Sequence, residues 1–199
     1  MRKKIISLCL IIVAVIALFT GCGGSSEQKG AETTVSSFAD ALAAYDVKTA
    51  KACLKDGTTD KIVLEGGNYD RENMIARYME AGISEEKASA IMDKVTETNK
   101  KAITYKVKDI KTKGNKATVT VTFSVKKPED LWDEILVSDE VLEAYGTGDQ
   151  GDAVLKSYAL LSEKLEVATP EPINVKFTLE NADGKWLISQ MDENIAKIY

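Results

Sequence analysis

Apolar residues in the first part of the chain recur at helical spacing. The clearest run covers residues 31–45, where apolar side chains fall on one face of a helix of about 3.6 residues per turn. Its members are Val35, Phe38, Leu42 and Tyr45. Asp46 suits the N-cap of a second, short helix, and further helices are predicted over 71–81 and after Ser84. The stretch 58–70 contains a pair of glycines and is predicted to be mainly loop.

The period changes to two after residue 102, which predicts strands. Apolar and polar side chains alternate over 103–125 around a turn at Lys113-Gly114-Asn115, as in an antiparallel hairpin with one solvated face. Asp109-Ile110 breaks the alternation, so we expect a β-bulge there. A second hairpin is predicted over 173–188, with its turn at Asp183-Gly184.

The same alternation predicts which side chains of the first hairpin are buried. Successive residues of a strand point to opposite faces, so its apolar side chains should be buried and its threonines largely accessible. The side chains expected to be buried are Val119, Val121 and Phe123, and those expected to be accessible are Thr118, Thr120 and Thr122.

Helices are also predicted between the two hairpins. Residues 129–137, 138–145 and 152–166 show helical patterns, and Pro170 and Pro172 close the last of them. The order helices, hairpin, helices, hairpin predicts an α+β fold. We expect the N-terminal helices to pack on a curved, mainly antiparallel sheet of two hairpins, with a helical insertion between the hairpins.

The first residues have the features of a secretory signal. Met1-Arg2-Lys3-Lys4 is basic, and the 15 residues from Ile5 to Phe19 carry no charge. A basic start, an apolar segment and a small residue before a cleavage site are typical of a signal peptide, here residues 1–21. The alternative is an uncleaved membrane helix, although a spanning helix usually needs about 20 apolar residues.

Thr20-Gly21-Cys22, at the end of this apolar segment, resembles the lipobox of bacterial lipoproteins, with Phe19 where the family usually has leucine. The resemblance implies that Cys22 receives a diacylglyceryl group, becomes the first residue of the mature chain and anchors it to the extracytoplasmic side of the cell membrane. Two acyl chains hold a protein stably on a bilayer. Residues 22–30 would then form a flexible tether, since Gly23 to Gly30 offer no apolar side chain to pack.

The remaining residues, 31–199, are expected to form a single domain. Phe38, Asp46 and the closing sequence Asp183-Gly184-Lys185-Trp186-x-Ile188 resemble the nuclear transport factor 2-like (cystatin-like cone) domains of Gram-positive lipoproteins. The resemblance implies an antiparallel sheet that curls around one helix. The helical stretch 129–168 departs from that family and is interpreted as an insertion.

Composition excludes several functions. The chain contains no histidine, which excludes a Ser-His-Asp triad and a histidine-ligated metal. Without residues 1–21 it carries 23 basic and 31 acidic side chains, a net charge of −8, so nucleic acid is not an expected partner. If Cys22 is used by the lipid, Cys53 has no intramolecular partner, and we interpret it as a buried small residue rather than a nucleophile.

Charge is unevenly distributed along the chain. Residues 100–127 contain nine lysines against one acidic residue, Asp109, whereas residues 129–155 contain nine acidic residues and no basic one. One interpretation is two solvated faces, because exposed ion pairs contribute only about 0–1 kcal/mol each and lysines also discourage pairing at strand edges. The alternative is that the basic hairpin faces an anionic membrane or wall polymer.

The glycine-rich loop 146–152 has two interpretations. Asp149 and Asp152 suggest a calcium loop, but calcium needs six to eight oxygen ligands and a closing glutamate that this spacing does not provide. We therefore interpret the loop as a helix–helix connection with an aspartate cap, and we assign no metal site.

Three functions remain open from the sequence. A ligand pocket at the wide end of the sheet would be lined by Tyr45, Tyr105 or Tyr158, whose hydroxyl groups can orient a partly polar guest. We expect a lipid-anchored domain that binds a small ligand or an envelope protein, with no cofactor and no assigned catalytic residue. The alternatives are an enzyme that uses a Tyr/Asp pair in the cone, as in some members of the resembled family, and a structural accessory subunit of an envelope complex.

Overall fold

The computed structural model describes residues 25–58 and 70–198. Its helices are α1 (Ser26–Ala43), α2 (Val47–Ala52), α3 (Arg71–Glu80), α4 (Glu85–Ala102), α5 (Glu129–Leu136), α6 (Asp139–Gly146) and α7 (Gln150–Val167). Its strands are β1 (Ile103–Lys113), β2 (Lys116–Val125), β3 (Glu171–Ala182) and β4 (Lys185–Met191), followed by a 3₁₀ helix (Glu193–Lys197). The predicted α+β class is confirmed. The predicted signal peptide, Cys22 and the interior of the predicted 58–70 loop lie outside the described residues.

The four strands form one antiparallel sheet in the order β1-β2-β3-β4. Strands β2 and β3 pair along their whole length, with Val121 opposite Val175, so the two predicted hairpins join into a continuous meander. The predicted bulge is confirmed, because the register of β1 on β2 shifts between Val107 and Asp109. Beyond β4, Leu54 forms a parallel bridge with Ile188.

Helix α1 packs across the apolar face of the sheet and forms the main core with it. The rings of Phe38 on α1 and Phe177 on β3 meet edge to face, with their centroids 6.1 Å apart. Val119, Val121 and Phe123 are fully buried, as predicted. The neighbouring threonines are half-buried rather than largely accessible, because β2 is flanked on both sides by β1 and β3. These threonines are Thr118, Thr120 and Thr122.

The predicted tether is wrong over most of its length, because α1 already begins at Ser26. Ser25 caps the helix: its Oγ accepts a hydrogen bond from the Gln28 amide (3.4 Å), and the Gln28 side chain accepts one from the Ser25 amide (3.0 Å). The capping box lets the helix begin at Ser26, although residues 25–30 contain no large apolar side chain. The first turns also contact the sheet, since Gln28 Nε2 donates to the Ile110 carbonyl oxygen at 3.2 Å.

The helices outside the main core pack against one another. Ala102 at the end of α4 joins Ile135 of α5 and Leu161 of α7 in a second apolar cluster. A third cluster includes Ile91 of α4 together with half-buried side chains of α3 and α7. Helix α4 continues directly into β1, so these helices lie at the end of the sheet where β1 begins.

Candidate functional site

The predicted lipid-attachment residue, Cys22, lies outside the described residues. The described chain starts three residues later with the N-cap Ser25. Within residues 25–58 and 70–198, no helix has both the length and the apolar character needed to span a bilayer. Because Cys22 is not among the described residues, its assignment stays a prediction from the sequence.

Tyr105 links β1 to α1. Its hydroxyl oxygen lies 3.0 Å from Asp40 Oδ1 and 3.3 Å from the Ser36 carbonyl oxygen, and its ring centroid is 5.8 Å from that of Phe123. Burial of the phenol, assisted by the nearby Asp40 carboxylate, raises the pKa of Tyr105 to about 12. The hydroxyl group is therefore neutral at physiological pH and hydrogen-bonded within the protein.

Tyr158 and Tyr45 lie in a different part of the molecule from Tyr105. Tyr158 packs against Trp132 nearly at right angles, with the ring centroids 5.1 Å apart. Burial raises the pKa of Tyr158, and Tyr78 and Tyr45 raise it further by their proximity. The structure thus groups two of the three predicted tyrosines and adds Tyr78 of α3, which was not among the predicted site residues.

A polar cleft of about 630 Å³ lies between the loop before α4 and the loop before α7. Lys87 is its central charge: its ammonium group pairs with Asp149 and lies 2.8 Å from Asp152 Oδ1. The hydrogen bond from Lys87 lowers the pKa of Asp149, and the two aspartates raise the pKa of Lys87. These charges satisfy one another and join the starts of two helices.

The segment 146–152 joins two helices, as predicted, but α7 begins at Gln150 rather than at Asp152, so the connection itself is only residues 147–149. Asp149 caps α7, since its Oδ1 accepts a hydrogen bond from the Asp152 amide at 3.1 Å. Gly151 sits where a Cβ atom would come within 3.0 Å of Lys87 Cδ and 3.2 Å of Ile83 Cγ2. In the described part of the chain, no group of three or more Cys, Asp or Glu side chains is arranged to hold a metal ion.

Cys53 is buried at the end of α2, as predicted. Burial raises the pKa of its thiol above the ordinary value; Lys185 acts in the opposite direction, and Asp46 acts in the same direction as burial. A thiol with a raised pKa forms little thiolate at neutral pH, so Cys53 is a packing residue.

An exposed apolar surface on α5 and α6 was not predicted. We call the pair of helices, residues 129–146, the acidic hairpin. Four large apolar side chains on it remain 44–69% exposed, namely Leu136, Val137, Leu142 and Tyr145. The same segment carries six exposed carboxylates, namely Glu129, Asp133, Glu134, Asp139, Glu140 and Glu143. The sequence shows the acidic run, but in helices of eight residues it does not show which apolar side chains stay outside.

Comparisons with known proteins show a distant structural likeness. No protein-family model matches the chain, and no curated protein matches it. The chain is similar to the crystal structure of a putative lipoprotein, ycdA, from Bacillus subtilis subsp. subtilis str. 168, with 18% sequence identity and a TM-score of 0.41. The alignment covers 82% of this chain and 57% of the Bacillus chain, so this chain spans little more than half the length of that protein.

Proposed function

We propose that this chain is a lipoprotein of the extracytoplasmic face of the cell membrane, and that its domain binds a protein partner. Residues 1–21 are removed and Cys22 carries the diacylglyceryl group. Residues 31–199 act as one nuclear transport factor 2-like domain, with 129–168 as its helical insertion. Helix α1 packed on an antiparallel sheet is consistent with this assignment.

The anchor is supported by the sequence around Cys22 and by the start of α1. Only Gly23 and Gly24 separate Cys22 from the N-cap Ser25. A lipid on Cys22 would therefore hold the folded domain close to the bilayer, and two acyl chains are enough for stable attachment.

The observation that carries the binding proposal is the exposed apolar surface of the acidic hairpin. Apolar side chains grouped on a surface and bordered by polar ones are typical of protein interaction sites. The exposed carboxylates of the acidic hairpin favour a partner with basic side chains, because complementary charge speeds association and selects partners. Tyr105 and Tyr158 contact protein groups, which favours a protein partner over a small ligand between the tyrosines.

Site-specific photo-crosslinking in intact membranes tests this proposal. A photo-reactive amino acid at Leu142 should give a discrete heavier product, whereas the same group at the exposed Lys156 of α7 should not. The product at Leu142 should disappear when Leu136 and Val137 are changed to serine, since the apolar contact is lost. Identical products at both positions, or a Leu142 product that survives these serine substitutions, would contradict partner binding through the acidic hairpin.

A further inference from the structure

Helix α1 and strand β1 run in opposite directions along each other. Gln28 contacts Ile110, near the end of β1, whereas Ser36 contacts Tyr105, near its beginning. The N-terminus of α1 therefore points toward the β1–β2 turn. The last residues of β1 lie beyond Gln28, on the side of the domain where α1 begins.

The attachment point of the proposed anchor lies beside this part of β1. This step rests on the proposed function, in which Cys22 carries the lipid. Three residue steps join Cys22 to Ser25, so the start of α1 lies within about 11 Å of the lipidated cysteine. The second half of β1 must then lie close to the bilayer surface.

This stretch of chain is strongly basic. We call residues 106–116 the basic strand segment; its exposed lysines are Lys106, Lys108, Lys111, Lys113 and Lys116. The one acidic residue of the segment, Asp109, pairs with Lys111 at 3.1 Å. Lys106, Lys108 and Lys113 form no ion pair with any residue in the described ranges, so their charges are available to an external anion.

The acidic hairpin lies at the opposite end of β1. Ala102, the residue before β1, packs with Ile135 of the hairpin, whereas Gln28 of α1 contacts β1 eight residues further on, at Ile110. Eight residues of strand correspond to about 26 Å. The basic strand segment therefore lies near the anchor and the acidic hairpin away from it, so a negatively charged bilayer would attract the first and repel the second.

We propose that the basic strand segment binds the anionic phospholipid surface next to the lipid anchor, with the acidic hairpin directed away from the membrane. Each lysine near such a surface strengthens binding by about fivefold, so three lysines together contribute on the order of 100-fold. The contact adds to the acyl chains and fixes which side of the domain faces outward, toward a partner.

Vesicle binding by residues 22–199, in a variant that cannot be lipidated, tests the proposal independently of the anchor. Residues 22–199 with Cys22→Ser are sedimented with phosphatidylcholine vesicles, with and without phosphatidylglycerol. A variant with Lys106, Lys108 and Lys113 changed to Gln should lose on the order of 100-fold in binding to the anionic vesicles. The matched control removes the same charge from exposed lysines of α2, α4 and α7, and should stay within about twofold. Its substitutions are Lys48→Gln, Lys100→Gln and Lys156→Gln.

Three outcomes would overturn the proposal. They are equal binding by the two triple variants, equal binding to both vesicle types, and binding to soluble polyphosphate without binding to anionic vesicles. The last outcome would mean that the basic strand segment binds a soluble anionic polymer rather than a membrane. Because the Cys22→Ser protein carries no lipid, none of these outcomes contradicts the proposed anchor at Cys22.

Acetylation of lysines in the lipidated protein on vesicles tests the orientation. Lys106, Lys108 and Lys113 should be protected on anionic vesicles and should react on phosphatidylcholine alone, whereas Lys156 should react on both. Protection should also disappear when salt is raised from about 0.1 M to about 1 M, where the screening length falls to about 3 Å. Equal reactivity of all four lysines on anionic vesicles would contradict the proposed orientation.

Discussion

Gly30 provides a sharp test of how α1 sits on the sheet. A Cβ atom at this position would lie 2.6 Å from Cδ1 of Trp186, a ring that is only 4% exposed. In a solvated helix, Gly→Ala stabilises by about 1 kcal/mol. Here the methyl group displaces a rigid buried ring, and overpacking of this kind costs about 1–3 kcal/mol. We therefore expect Gly30→Ala to be neutral or destabilising, despite the better helix propensity of alanine.

Gly146 is the matched control for this substitution. It is also a helical glycine, in the last turn of α6, but a Cβ atom there would meet nothing within 4 Å. Gly146→Ala should be neutral or stabilising. The difference in unfolding free energy between the two variants removes most of the shared propensity effect, and it should be about 1–3 kcal/mol.

Urea unfolding followed by circular dichroism and tryptophan fluorescence measures this difference. A Trp186→Leu substitution should abolish most of it, because the smaller side chain leaves room for the new methyl group. If Gly30→Ala stabilises the protein as much as Gly146→Ala does, α1 does not rest on Trp186. The helical start at Ser26 would then lack this contact with the sheet.

Other predictions concern the core, the anchor and the charges. Phe123→Ala should lower the unfolding free energy by about 3–5 kcal/mol and Thr120→Ala by much less. Similar urea midpoints for the two variants would show that the buried and solvated faces of β2 are wrongly assigned. Cys22→Ser should abolish detergent-phase partitioning and Cys9→Ser should preserve it; equal partitioning would refute the anchor. The pKa of Asp149 is lowered below its ordinary value of 3.8, so its stabilising effect is present above that value and is lost as the pH falls below it. Asp149→Asn should therefore lower thermal stability at neutral pH and reduce the further loss of stability as the pH falls. An unchanged pH dependence of thermal stability in acid would contradict this.

Local patterns were sufficient to predict most of the secondary structure. The alternation over 103–125 and the break at Asp109 locate two strands and their bulge, because both depend only on neighbouring residues. The caps at Asp46 and Ser84 were also identified from residue type and position. The first turns of α1 were not predicted, because they are fixed by a capping box and by contacts with the sheet rather than by the spacing of apolar residues.

The relations between distant residues could not be derived from the sequence. Pairing of β2 with β3 joins segments about 50 residues apart, and no local signal specifies it. The grouping of Tyr45 with Tyr158 likewise depends on how α7 packs on α3 and α4. The exposed position of Leu142 follows from the packing of the neighbouring Val141, which is fully buried. Helical periodicity alone does not choose between two adjacent apolar residues.

The bridge between Leu54 and Ile188 affects how neighbouring copies of the chain behave. An unpaired strand edge is a template on which another chain can add, and this bridge covers part of the β4 edge. The opposite edge, β1, carries the bulge at Val107 and a row of exposed lysines, both of which discourage strand addition. In the proposed anchored state, copies of the chain meet within the plane of one membrane, where like-charged edges repel. Neutralising these lysines should therefore promote clustering of anchored copies, which single-particle tracking can measure.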